Sequence, residues 1–169
     1  LLRQCLDAGA VGLSTSFVDM DENLQPVPSR YADTNELDAL AQVLGDYGRM
    51  LQIVPEFYDA DLTIARVDQL AALSLKYAIP TTLSPLFVSH DNVDAVNRIM
   101  ARVDTQFDNG ARVWPQVQTR PIDISFSLAV PSLLFMRFRT WYRLIRFGTV
   151  DEIMAGLQDP EKRAKYVSE

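Results

Sequence analysis

The chain has 169 residues, with 16 Lys and Arg against 22 Asp and Glu, a net charge of −6. This acidic balance disfavours a general nucleic-acid surface. The single cysteine, Cys5, excludes an internal disulfide framework and is compatible with a reducing cytoplasm, where we expect the protein. No apolar run approaches the roughly 20 residues that a membrane span needs, so we expect no membrane partner.

The first part of the chain has the pattern of a βαβ unit. Residues 10–13 form a short apolar run that predicts a buried strand, and Met50–Val54 predicts a second one. Between them, Asp33 and Glu36 have the spacing of a capping box, and Gly48 is placed to end the helix. A strand, a crossover helix and a second buried strand indicate a parallel sheet.

The same alternation continues along the chain. Residues 60–77 and 91–107 have helical periodicity, and residues 79–83 and 111–117 predict a third and a fourth strand. No glycine-rich phosphate loop follows any strand, which disfavours a doubly wound nucleotide-binding sheet. An eight-stranded barrel typically takes about 250 residues. We therefore predict an α/β fold in which residues 1–121 form about four βα units of a partial (β/α)8 TIM barrel.

The tail differs in composition and predicts a helical insertion segment over residues 122–169. Helices are expected over residues 133–146, 149–157 and 159–167. The first is rich in aromatic residues and arginines, and two interpretations of it stay open. Its arginines form an anion-binding or nucleic-acid patch, or they solvate one helix face while the aromatic side chains pack. The arginines are Arg137, Arg139, Arg143 and Arg146.

Parallel α/β folds carry their sites at the carboxyl ends of the strands. The polar and ionisable residues at those predicted ends are Ser14, Thr15, Ser16, Glu56, Ser84, His90, Gln116, Arg120 and Asp123.

Four of these candidates, Glu56, Gln116, Arg120 and His90, have side chains suited to a specific chemistry. Glu56 is the catalytic candidate, as a general base or metal ligand, or it is a solvated loop or capping acid. Arg120, with Gln116 beside it, is the substrate-binding candidate, because a guanidinium grips a carboxylate bidentately; alternatively it ties its loop to a neighbouring acid. His90 is the only histidine, so no multi-histidine zinc site can be assembled within this chain, and apart from the Glu56 alternative we assign no metal-binding residue.

Two blocks of sequence carry a family resemblance. The first covers residues 9–56 and contains GAVGLSTSF and YADTNELDALAQVLGDYG; the second, residues 114–127, reads WPQVQTRPIDISFS and is followed by the aromatic helix and DPEKRAKY. Together they resemble the amidohydrolase-3 family, that is, the D-aminoacylase (N-acyl-D-amino-acid deacylase) branch of the amidohydrolase superfamily.

The resemblance implies a metal-dependent hydrolase on a (β/α)8 barrel, in which zinc activates water to cleave a carbon–nitrogen amide bond. The substrate would be a small-molecule amide, either an N-acyl-D-amino acid, which the resemblance favours, or a cyclic amide. It also implies that this chain is a central fragment of the barrel, with the H-x-H strand and catalytic aspartate outside it. Zinc would then be held in the full-length protein, with none bound to this segment.

At the positions where the family places histidines on the middle strands, this sequence has Val54 and Pro85. The alternative is therefore a catalytically inert α/β scaffold or assembly segment that has lost its metal ligands. On either interpretation a partial barrel has open edges, so we expect the segment to self-associate.

Overall fold

The computed structural model describes residues 1–21, 25–88, 92–120 and 138–169. The chain divides into two compact units, Leu1–Arg120 and Pro121–Glu169. Across the described ranges, none of the helices combines the length and apolar composition that crossing a bilayer requires.

The first unit alternates strands and helices. Its strands are β1 (Gly12–Ser16), β2 (Met50–Val54), β3 (Thr81–Leu83) and β4 (Val113–Pro115). Its α-helices are α1 (Leu2–Asp7), α2 (Thr34–Asp46), α3 (Ala60–Tyr77) and α4 (Val93–Asp108), and a short 3-10 helix covers Pro28–Tyr31.

The strands form a parallel four-stranded sheet in the order β1-β2-β3-β4. Each strand therefore pairs with the next one along the chain, and the order does not reverse. Right-handed crossovers between such neighbours place α2, α3 and α4 on the same face of the sheet. One apolar cluster joins these helices to that face; its members include Leu44, Leu51, Ile53, Leu70, Leu83, Ile99 and Val113.

The predicted α/β class and parallel pairing are confirmed, with shifts at the strand ends. β2 has the predicted bounds, whereas β1 begins two residues later than predicted. The reason is local: the backbone N–H groups of Gly9 and Ala10 donate to Leu6 and Cys5 and so still close α1. β4 covers only the centre of the predicted run of residues 111–117.

The N-cap and C′ signals predicted for α2 are present in the structure, and the observed bond is the Asp33 half of the predicted capping box. Asp33 Oδ1 accepts from the Glu36 backbone N–H at 2.8 Å and so caps α2. After α2, Gly48 adopts φ +60°, the left-handed conformation that glycine tolerates.

The described part of the second unit consists of three helices, α5 (Arg139–Phe147), α6 (Val150–Gln158) and α7 (Pro160–Val167). The last two agree with the predicted helices to within a residue, and residues 133–137 of the predicted aromatic helix lie outside the described residues. Thr149 and Glu152 form a capping box on α6. Ile145, Ile153 and Tyr166 are buried between the three helices.

Candidate functional site

A row of uncharged polar side chains crosses the face of the sheet that points away from the helices. Ser14, Gln52 and Thr82 share one level of the register, and side chains alternate along a strand, so all three oppose the buried apolar positions. Gln116 follows β4 and joins them, because its Nε2 donates to Thr82 Oγ1 at 3.1 Å. We call Ser14, Gln52, Thr82 and Gln116 the polar row.

The polar row consists of two hydrogen-bonded pairs, Ser14 with Gln52 and Thr82 with Gln116, and each pair is also bonded to the backbone. Ser14 Oγ donates to Gln52 Oε1, and Gln52 Nε2 donates to the Ile53 carbonyl at 2.9 Å. Thr82 Oγ1 donates to the Trp114 carbonyl at 2.6 Å. These bonds fix hydroxyl and amide groups, which both donate and accept hydrogen bonds, across all four strands without a charge.

A shallow cavity of about 240 Å³ lies at the carboxyl end of β1, and its lining includes Ser14, Thr15, Ser16, Asp19 and Ser29. Ser16 is committed to the loop, because its hydroxyl accepts from the backbone N–H groups of Val18 and Asp19. The structure thus brings the three predicted residues of β1 to one cavity, where the Ser14 hydroxyl donates to Gln52 Oε1 and the Ser16 hydroxyl caps the loop.

Glu56 lies past the end of β2 in a bidentate ion pair. Its two carboxylate oxygens accept from Arg66 of α3, at 2.8 Å from Nη2 and 3.1 Å from Nε. The side chains of Glu56 and Arg66 are only 12% and 26% exposed. The guanidinium also stacks on the Phe17 ring, with its carbon 3.5 Å from the ring centre. Glu56 therefore joins the ends of β1 and β2 to α3.

Gln116 is fixed by its backbone as well as by its side chain. Its N–H donates to the Leu83 carbonyl at 2.8 Å, and its carbonyl accepts from the Leu86 N–H at 2.9 Å. Arg120 lies exposed on the segment that follows β4. Ser84 extends the pairing of β2 with β3, since its N–H donates to the Ile53 carbonyl. His90 and Asp123 lie outside the described residues.

Three contributors to this end of the sheet were missed by sequence reasoning. Gln52 and Thr82 each carry a weak signal, a polar side chain inside a run that is otherwise typical of a buried strand. Arg66 carries none, because its partner Glu56 is ten residues away and the pairing depends on how α3 returns along the sheet.

The described residues do not fit a zinc site. Among them, no group of three or more His, Cys, Asp or Glu side chains is placed to hold a metal ion. The two positions at which the resemblance would place histidines hold Val54 and Pro85, neither of which is a ligand. Both oxygens of Glu56, the remaining candidate ligand, are taken by Arg66.

No protein-family model matches the chain, and neither a curated protein nor a solved structure matches it at a significant level. The resemblance to the D-aminoacylase family is therefore carried by the two sequence blocks alone.

Proposed function

We propose that this chain supplies four consecutive βα units of a (β/α)8 barrel in a metal-dependent amidohydrolase. The enzyme would cleave the carbon–nitrogen bond of a small amide, and N-acyl-D-amino acids are the substrate class that we favour. The observation that carries the proposal is the sheet: parallel strands in unreversed order, with helices on one face and the polar row on the other.

The strand order favours a barrel over an open doubly wound sheet. A doubly wound sheet reverses its strand order, which sends helices to both faces and opens a crevice at the switch point. The order of the four described strands has no switch point. When such a sheet curls, the helices form an outer ring and the opposite face becomes the barrel interior. The polar row would then line that interior.

The polar row suits a neutral amide. A secondary amide presents one N–H donor and one carbonyl acceptor, and side-chain amides and hydroxyls pair with both without adding charge. The free carboxylate of an N-acyl amino acid would be bound by Arg120, whose guanidinium presents a fork of donors. In this proposal the chain contributes scaffold and substrate contacts, and the zinc ligands come from outside the described residues.

The test uses the purified full-length protein that contains this sequence. We expect hydrolysis of N-acetyl-D-amino acids in preference to the L-isomers. Gln116→Leu and Arg120→Ala should each lower kcat/KM by at least about tenfold, since each removes a hydrogen bond to the substrate. Gln118→Leu, the same change on an exposed residue nearby, should stay within about twofold. A metal-free protein with no turnover would instead favour the inert scaffold.

A second comparison decides the role of Glu56. If Glu56 acts as a general base, Glu56→Gln lowers kcat by about 10²–10⁴. Arg66→Gln should then cost much less, because the carboxylate survives. Equal losses in the two variants, together with equal falls in thermal stability, would assign Glu56 to holding the strand ends.

A further inference from the structure

A cavity with a basic lining lies in the second unit, between α5 and α7. Its volume is about 540 Å³, within the range of about 300–1,000 Å³ typical of small-molecule sites. Arg139 and Arg143 are four residues apart on α5, so they share one face of that helix. Lys165 approaches from α7. We call this the basic cavity; it is lined by Arg139, Thr140, Arg143, Leu144, Lys165 and Tyr166.

The positive charge of the basic cavity is compensated only in part, because the Glu169 carboxylate lies near Lys165 while the two arginines lack a carboxylate partner among the described residues. Within the described ranges, neither Arg139 nor Arg143 makes an ion pair or a side-chain hydrogen bond. In the first unit, by contrast, several arginines are paired with carboxylates: Arg3, Arg66, Arg98 and Arg102. The chain as a whole carries a net charge of −6. Three cations against the single carboxylate of Glu169 leave the surroundings of the cavity positive, and this local field attracts anions.

The rim of the basic cavity already receives a carboxylate from the chain itself. Both oxygens of the Glu169 side chain accept from the Thr140 backbone N–H at 2.9 Å, and Oε1 also accepts from the Thr140 hydroxyl at 2.5 Å. The Thr140 hydroxyl and, more weakly, the nearby Lys165 lower the pKa of Glu169. The donors of Thr140 are therefore arranged for an anionic oxygen.

We propose that the basic cavity binds a small phosphate monoester. Two guanidinium groups can each present paired donors to phosphate oxygens, and an ammonium adds a third positive charge. The cavity is larger than a phosphate ion needs, and Leu144 and Tyr166 offer an apolar wall for the organic part of the ligand. This inference is independent of the proposed hydrolase activity, because none of its residues belongs to the first unit.

The chain contains a convenient reporter for this binding. It has two tryptophans, and Trp114→Phe leaves Trp141, which packs on Tyr166 with ring centres 5.1 Å apart. We would titrate this variant of the 169-residue chain with inorganic phosphate and with ribose 5-phosphate, holding ionic strength constant with sodium chloride. A saturable change in Trp141 emission is expected, with ribose 5-phosphate tighter than phosphate. Equilibrium dialysis with radiolabelled phosphate provides a readout that does not depend on fluorescence.

Substitutions inside and outside the basic cavity distinguish binding at this cavity from nonspecific attraction to the positive charge of the second unit. Arg139→Gln with Arg143→Gln should weaken binding at least about tenfold, provided that circular dichroism shows an unchanged helix content. Arg163→Gln removes one positive charge from α7 outside the cavity lining and should change the affinity less than about twofold. Equal weakening by Arg163→Gln, or no saturable binding below about 10 mM by either readout, overturns the proposal. Vesicles with phosphatidic acid distinguish the source: binding to them without binding to soluble phosphates would also overturn it.

Discussion

At the scale of single residues, the buried hydroxyl of Ser74 in the first unit bonds two backbone groups that precede different strands. It lies near the end of α3 and is only 3% exposed. Its hydroxyl donates to the Ile79 carbonyl at 2.8 Å and accepts from the Arg112 backbone N–H at 2.9 Å. Those two residues precede β3 and β4. One hydroxyl therefore satisfies buried backbone groups at the entry of two strands.

Ser74→Ala should lower the free energy of unfolding by about 1–3 kcal/mol, because both backbone groups lose their partner in a buried place. Urea unfolding followed by circular dichroism measures the change. Thr105→Ala is the control: its hydroxyl donates to the Ala101 carbonyl on the exposed surface of α4, and its loss should cost less than about 0.5 kcal/mol. A Ser74 effect no larger than the control would show that water replaces the lost bonds.

At the scale of elements, ion pairs link neighbouring helices among α2, α3 and α4, which cover one face of the sheet. Lys76 of α3 pairs with Asp38 of α2 at 2.8 Å. Between α3 and α4, Arg102 holds both oxygens of Asp68, at 2.5 and 2.9 Å. The hydrogen bond from Arg102 is the largest cause that lowers the pKa of Asp68 below its usual value, and Gln106 adds to it.

This shift predicts a pH dependence. A carboxyl whose pKa is lower in the folded state stabilises the fold above its unfolded pKa, about 3.9, and loses that contribution as pH falls through the folded value. The pair is more than a third exposed, so its contribution at pH 7 should be below about 1 kcal/mol. The stability difference between wild type and Asp68→Asn should therefore shrink as the pH falls below about 4.

Chemical denaturation at a series of pH values measures that difference. Asp104→Asn is the matched control, since it removes an exposed α4 carboxylate that has no ion-pair partner among the described residues. A gap between wild type and Asp68→Asn that stays constant down to pH 2, or equals the control at every pH, would contradict the prediction. Added salt should narrow the gap at pH 7.

Features that depend on residues close together in the sequence could be predicted from it, whereas features that depend on distant residues could not. Asp33 and Gly48 each cap α2 through groups within one turn of the helix, so both ends of α2 could be predicted. The parallel sheet was readable too, because each pair of buried strands is separated by an amphipathic helix. The pairing of Ser14 with Gln52 was not, because it depends on the register between strands 38 residues apart.

At the scale of the whole molecule, the sheet ends in two edge strands. β1 and β4 are the outer strands of the described sheet. Beside β1, Val11 is 74% exposed, and on β4 Trp114 is 45% exposed. Parallel strands are normally covered on both faces, and unpaired edges are templates for further pairing. In the proposed barrel, each edge would have one more neighbour.

We therefore predict that the 169-residue chain self-associates, preferentially as a dimer. Two copies that each supply four strands could pair edge to edge about a twofold axis and match the strand count of an eight-stranded barrel. Light scattering across a dilution series should show a species of twice the 19.0 kDa chain mass at high concentration, with monomer at low concentration.

A positive charge beside the edge strand β1 should weaken the dimer. Val11→Lys places an ammonium group beside β1, and pairing of another strand there would have to desolvate it. We therefore expect the dissociation constant of the dimer to rise about tenfold relative to wild type. Val167→Lys is the matched control, because that valine is 77% exposed on α7 and belongs to no sheet. A monomer of wild type at every concentration would contradict the prediction and would mean that one chain covers its own edges.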